Sequence, residues 1–162
     1  MFEVIFVDSF KIFKMKIFKK LDTVLASLGN VKSLQRTHVD TFTEEKIANV
    51  AGEKYGNSDF GLLYVEYQEL GGYFFLNTTV ISGSSFKSKK GATLEFKSKD
   101  NNLTLTSDDY MIESDFSNVS NSWITQINYP ITEKEIQLVG NKKFDLVGFK
   151  VKKYNIEFKI NN

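Results

Sequence analysis

The sequence predicts a β-rich α+β domain, most simply an antiparallel β-sandwich, with a closed meander barrel as the structural alternative. Three observations carry that expectation. A long apolar–polar alternation over 60–82 is divided by Gly71-Gly72, a shorter one over 92–106 by Asp100-Asn101, and only three stretches shift to helical spacing. Neighbouring strands joined by tight turns favour sandwiches and partly open barrels. With 162 residues the chain is most simply one domain, a helical part over about 9–56 and a β-rich body over about 60–160. About eight strands, two N-terminal helices and one short late helix are expected.

Residues 1–7, MFEVIFV, read as a short buried strand. From Ser9 to Leu28, Phe10, Phe13, Ile17, Leu21, Val24 and Leu28 recur at spacings of three and four, an amphipathic helix. Its polar side carries Lys11, Lys14, Lys16, Lys19 and Lys20 against Asp22 alone. Such a helix suits a solvated face packed on a sheet, and Lys16, Lys19 and Lys20 are the candidates for attachment to an anionic membrane surface. A signal peptide is a third reading, weakened by Asp22 inside an already short apolar region. Met15-Lys16-Ile17 resembles a protein start, so residues 1–14 are expected to be an upstream extension and poorly packed. Residues 31–42 are ambiguous between strand and loop and hold His38, the one histidine, without a neighbouring acidic or histidine cluster.

A second helix is expected over Thr43–Tyr55. Thr43 caps it, with Thr41 as an alternative cap, Glu44 and Glu45 favour the positive end of its dipole, and Gly56 is placed as its C′ residue. The Gly56–Asp59 turn then leads into the long hairpin. A Gly-Gly loop accepts positive φ at both positions and sets the register. Leu70 faces Tyr73, Gln68 faces Phe75, Glu66 faces Asn77, Tyr64 faces Thr79 and Leu62 faces Ile81. The opposite side, with Leu63, Val65, Tyr67, Leu76 and Val80, is the more apolar and is assigned to the core.

Residues 82–91, SGSSFKSKKG, read as a flexible, solvated loop; the phosphate-loop pattern is absent. In the second hairpin, an Asp100-Asn101 turn places Phe96 opposite Leu105. Over 107–121, Tyr110–Glu113 is a possible strand. Asp108, Asp109, Glu113 and Asp115 surround it without a calcium-loop pattern, so no metal site is assigned. Three sequons begin at Asn77, Asn102 and Asn118, a cheap match in a chain rich in Asn, Ser and Thr. Trp123–Tyr129 reads as a strand ended by Pro130. Thr132-Glu-Lys-Glu135 is a capping box with Ile131 and Ile136 as its staple, opening a helix over Glu133–Val139 with Gly140 as C′. Strands follow at about Lys143–Val151 and Tyr154–Ile160. Lys152-Lys153 is poor turn chemistry, which leaves one bulged strand as the alternative.

Composition removes several function classes. The chain has no cysteine, so it has no disulfide or thiol chemistry, and this suits a reducing, cytoplasmic setting. Its net charge is +1 and Arg36 is its one arginine, which argues against nucleic-acid binding. No apolar run approaches the ~20 residues of a transmembrane helix. No catalytic residue or cofactor is assigned. Carboxylate catalysis would require Glu66 to meet a partner such as Asp108 or Glu113. The leading expectation is a non-enzymatic binding or protein-interaction domain, with protein or small-molecule partners both compatible. The second is a small-molecule-binding barrel using Tyr64, Glu66, Gln68, Phe75, Asn77 and Thr79, a mixed face with the composition of a pocket. The third is a peripheral membrane protein held through the basic helix.

Overall fold

The computed structural model describes residues 41–161. The expected strand over 1–7, the helix over Ser9–Leu28 with Lys16, Lys19 and Lys20, the Met15 start, the signal-peptide reading and His38 lie outside the described residues. From Thr41 onward the chain is mostly antiparallel sheet with two short helices. The order is α1 (Thr41–Ala48), β1 (Glu53–Ser58), β2 (Gly61–Leu70), β3 (Tyr73–Ser82), β4 (Thr93–Lys97), β5 (Asn102–Thr106), β6 (Asp115–Ser117), β7 (Ser122–Ile131), α2 (Glu133–Gly140), β8 (Leu146–Val151) and β9 (Tyr154–Ile160).

The nine strands form one sheet in the order β5-β4-β8-β9-β1-β2-β3-β7-β6, every pairing antiparallel. Among the described residues β5 and β6 are its edges, and their ladder does not close as the barrel alternative requires. The sheet is curled: just past β5, the Asp108 amide donates to the Asn128 carbonyl on β7 at 2.9 Å. One apolar face is thereby enclosed. Leu94, Phe96, Val147, Phe149 and Phe158 from one half join Leu63, Leu76, Val80, Ile127 and Tyr129 from the other in a single buried cluster.

The β2–β3 register agrees with the sequence pattern at all ten pairs from Gly61–Ser82 to Leu70–Tyr73. Leu63, Val65, Leu76 and Val80 are buried as expected; Tyr67, assigned to the core, is partly exposed towards the hairpin tip. Its hydroxyl is nevertheless pushed up to about 12, first by desolvation and then by the charge of Glu53. The capping box is present. The Thr132 hydroxyl accepts from the Glu135 amide, and the Thr132 amide donates to the Glu135 carboxylate at 2.8 Å. α2 runs one residue past the expected end. Lys142, at φ 49, takes the place assigned to a C′ glycine, its amide reaching Val139 O and that of Lys143 reaching Leu138 O.

Several expectations are corrected. The helix expected over Thr43–Tyr55 ends at Ala48, and residues 53–58 form β1. Tyr55 is therefore a fully buried strand residue, and Gly56 sits at a bulge between β2 and β9. The second hairpin turns through four residues. The Ser98 amide and hydroxyl both donate to Asn101 O, and the Asn101 amide returns to Ser98 Oγ. Phe96 consequently faces Leu103, and Leu94 faces Leu105, with the buried face unchanged. Tyr110–Glu113 contributes one isolated bridge, Ile112 to Ser88; the strand in this region is β6. β7 continues through Pro130 to Ile131, where β3 is its sheet neighbour and an edge-strand proline is tolerated. Lys152-Lys153 does form a two-residue turn, with Val151 paired to Tyr154 and Lys152 at φ 52. The 82–91 segment is anchored rather than free. Phe86 is buried edge-on against Phe149 and Tyr154, with ring centroids 5.3 and 5.2 Å away, while Lys87, Lys89 and Lys90 remain exposed.

Candidate functional site

Strand alternation sends every second side chain of β2, β3 and β7 away from the core. The pairings put these side chains in transverse rows: Leu62–Ile81–Ile124, then Tyr64–Thr79–Gln126, then Glu66–Asn77–Asn128, then Gln68–Phe75–Pro130. All six sequence-derived candidates, Tyr64, Glu66, Gln68, Phe75, Asn77 and Thr79, lie on this one outer face. β7 adds Gln126 and Asn128, which the sequence reading did not single out. Their signal was present in the alternation of WITQINY, where they oppose Trp123, Ile127 and Tyr129. What was missing was knowledge that β7 lies beside β3.

α1 lies against β6 and β7 at one end of this face. Glu44 accepts from Ser117 Oγ at 2.5 Å and from the Ser120 amide at 3.2 Å, and these bonds hold its carboxyl below the ordinary range. Lys46 pairs with Asp115 at 3.3 Å. Past α1 the chain reaches Ala51 and then Gly52. Gly52 has φ 83, and a Cβ there would fall 2.1 Å from Val65 O and 2.9 Å from Glu66 Cβ. Only glycine permits this close passage over β2.

The result is a depression of about 280 Å³ beneath Ala51, lined by Glu66, Asn77, Thr78, Thr79, Gln126 and Asn128. It is open to solvent and lies on the outside of the sheet. Among the described residues its lining contains amides, hydroxyls and one carboxylate, and no cation. Asn77 Nδ2 donates to Gln68 Oε1 at 2.9 Å, whereas the buried Asn77 Oδ1 has no partner. Turning both amides over would instead pair Oδ1 with the Gln68 amide and aim Nδ2 where Oδ1 now lies.

No family model, no curated protein and no solved structure matches this chain. The geometry therefore has to carry the functional argument.

Glu66 does not meet a second carboxylate here. Asp108 flanks Asn128, which puts it three ladder spacings from Glu66, roughly 14 Å along the sheet and beyond the separations of glycosidase pairs. Glu113 is engaged elsewhere, with Lys87 at 2.7 Å, and that ammonium lowers its pKa. Among the described residues no three acidic or histidine side chains converge as a metal-binding group, and no helix is long and apolar enough to cross a membrane.

A larger hollow, about 650 Å³, lies elsewhere on the molecule between the β1–β2 turn and β9, lined by Asn57, Asp59, Phe60, Asn155, Glu157 and Lys159 among others. It is wider and more open, and it contains no buried polar atom lacking a partner. Volume favours this hollow, but chemistry favours the smaller depression. An unmatched buried acceptor is a standing cost that a ligand can remove, whereas open volume confers no selectivity.

Proposed function

We propose that the chain is a non-enzymatic binding domain whose ligand sits on the outer face of β2, β3 and β7. The observation that carries this reading is the unmatched Asn77 carbonyl beside a depression lined by Glu66, Thr79, Gln126 and Asn128. Buried polar groups are almost always paired, and a binding site is one place where the missing partner arrives from outside. Tyr64 and Phe75, both half-buried, bracket the polar rows and supply apolar contact area, which matches pockets that combine apolar walls with a few placed polar groups. The site fits a ligand lying across a sheet better than one enclosed in a barrel.

The architecture that best accommodates this face is sandwich-like. The β4–β8–β9 and β2–β3–β7 halves contribute to one common core, and the 107–109 segment ties one half to the other, which supports this reading. The enclosed space is then filled by side chains such as Phe96, Phe149, Leu76 and Tyr129, leaving the outer faces for recognition.

A second reading, contact with a protein, is favoured by the hairpin tip. Leu70 and Tyr73 are cross-strand neighbours on the same outer side, 65% and 73% exposed. Exposed aromatic and aliphatic pairs of this kind are common anchors at interfaces.

The test is chemical-shift mapping of the 15N-labelled full chain against a library of small polar and apolar fragments. Shifts concentrated at 64–79 and 126–128 are the expected result. Shifts concentrated at Asn57, Phe60 and Glu157 would move the site to the larger hollow and overturn the assignment.

A further inference from the structure

We infer that the depression on β2, β3 and β7 recognises a neutral saccharide, an inference that rests on the binding-face reading above. The side chains that line it select against charged ligands. Among the described residues no lysine or arginine borders it, so a phosphate or carboxylate would meet Glu66 with none of them to offset the repulsion. A cation would find Glu66 alone, with amides and hydroxyls as its remaining neighbours. A neutral polyol meets neither problem.

The donor and acceptor inventory fits hydroxyl groups. Asn77, Gln126 and Asn128 each present a carbonyl and an amino group side by side, Thr79 adds a hydroxyl, and Glu66 presents two acceptors. A sugar hydroxyl donates one hydrogen bond and accepts others. Two adjacent hydroxyls on a ring can therefore engage both atoms of one amide or both oxygens of one carboxylate. A hydrocarbon ligand would leave these groups unpaired, at the cost that attends any desolvated polar atom.

The spacing supports an extended ring rather than a point ligand. Cross-strand neighbours on one face stand about 4.5–5.5 Å apart, and successive same-face residues along a strand about 7 Å apart. Thr79, Gln126, Asn77 and Asn128 thus form a four-cornered polar plate on the scale of a pyranose. Tyr64 and Phe75 stand just outside it, Tyr64 on β2 beside Thr79 and Phe75 on β3 one same-face position beyond Asn77. An aromatic face accepts the C–H side of a sugar ring while the plate takes its hydroxyls. Asn77 Oδ1 then accepts a hydrogen bond from a sugar hydroxyl. Because that atom is shielded in the unliganded chain, rotation of the Asn77 side chain accompanies binding.

The experiment uses the 15N-labelled full chain, with side-chain amide resonances as the readout. The probes are glucose, galactose, mannose and N-acetylglucosamine, their linear oligomers, and inorganic phosphate as the anionic control; the fragment library serves as the non-saccharide control. Saturable shifts of the Asn77, Gln126 and Asn128 side-chain amides with at least one neutral saccharide, and none with phosphate, are expected. Asn128→Ala, a change at an exposed position, should leave the melting temperature unchanged and weaken that response about tenfold, the loss of roughly one well-made hydrogen-bonded contact. If fragments or phosphate shift these amides while every saccharide fails, the saccharide inference is overturned and the binding face stands. If no probe of any kind shifts them, both fall.

Discussion

Tyr55 Oη donates a buried hydrogen bond to the carbonyl of Val139 at 2.9 Å, fastening α2 to β1. Its counterpart, Tyr129, is equally buried but its hydroxyl has no hydrogen-bond partner; the adjacent Thr78 hydroxyl donates to Ile127 O at 3.1 Å. Desolvation drives both phenol pKa values up; at Tyr129 the Thr78 hydroxyl offsets this without completing a bond of normal geometry.

The two tyrosines should therefore respond oppositely to loss of the hydroxyl. Tyr55→Phe removes this buried bond, leaving the Val139 carbonyl with the Lys142 amide, and should cost about 1 kcal/mol. Tyr129→Phe removes a buried, unpaired hydroxyl and should be neutral or stabilising by up to about 1 kcal/mol. Urea unfolding of the two variants checks the pair. Equal destabilisation would show that Tyr129 has a partner of its own.

Glu95 sits between Lys97, at 2.9 Å, and Lys150 on the outer face of β4 and β8. Hydrogen bonds from Lys150 and then Lys97 lower its carboxyl below the ordinary value of 4.5. A carboxyl depressed on folding stabilises the protein in full above its unfolded value, and the effect disappears as pH falls through the folded one. Glu95→Gln should thus lower the urea midpoint slightly near about pH 7, and the difference from the parent should close towards about pH 3. The effect should also shrink in high salt, since the group is near the surface.

Lys152 opens the β8–β9 turn at φ 52, a backbone region that side chains other than glycine and asparagine rarely adopt. Lys152→Gly should stabilise the protein by about 0.5–1 kcal/mol if relief of this strain outweighs the added freedom of the unfolded chain. An unchanged or lowered urea midpoint would mean that it does not.

The long hairpin was legible in the sequence because a Gly-Gly turn and a strict alternation fix each other. One local feature set all ten pairs. The α2 cap was legible for the same reason, since Thr132 and Glu135 satisfy each other within one turn. Features requiring distant chain segments were not. β1 holds one large apolar side chain, Tyr55, and so carries no alternation that separates it from the helix before it. The second hairpin has the right faces and the wrong partners because Ser98 closes a four-residue loop where Asp100-Asn101 alone suggested two. The mixed face was legible up to the edge of β3. Gln126 and Asn128 joined it only through a pairing between segments more than forty residues apart in the chain.

Asn77 offers a test that separates recognition from folding. It stands mid-strand, where β-branched residues are favoured and asparagine is not, and it retains one unmatched polar atom. If the fold alone mattered, the position would favour valine. Asn77→Val should raise stability by about 0.5–1 kcal/mol in the absence of ligand, through strand propensity and removal of the unpaired carbonyl. The same change should abolish the saccharide response of Gln126 and Asn128, because the central corner of the polar plate is gone. Urea unfolding and side-chain amide titration of one sample measure both effects. A destabilised variant would identify Asn77 as a structural residue whose bond to Gln68 matters more than its orphan oxygen. A stabilised variant that still responds to saccharide would shift recognition to β7.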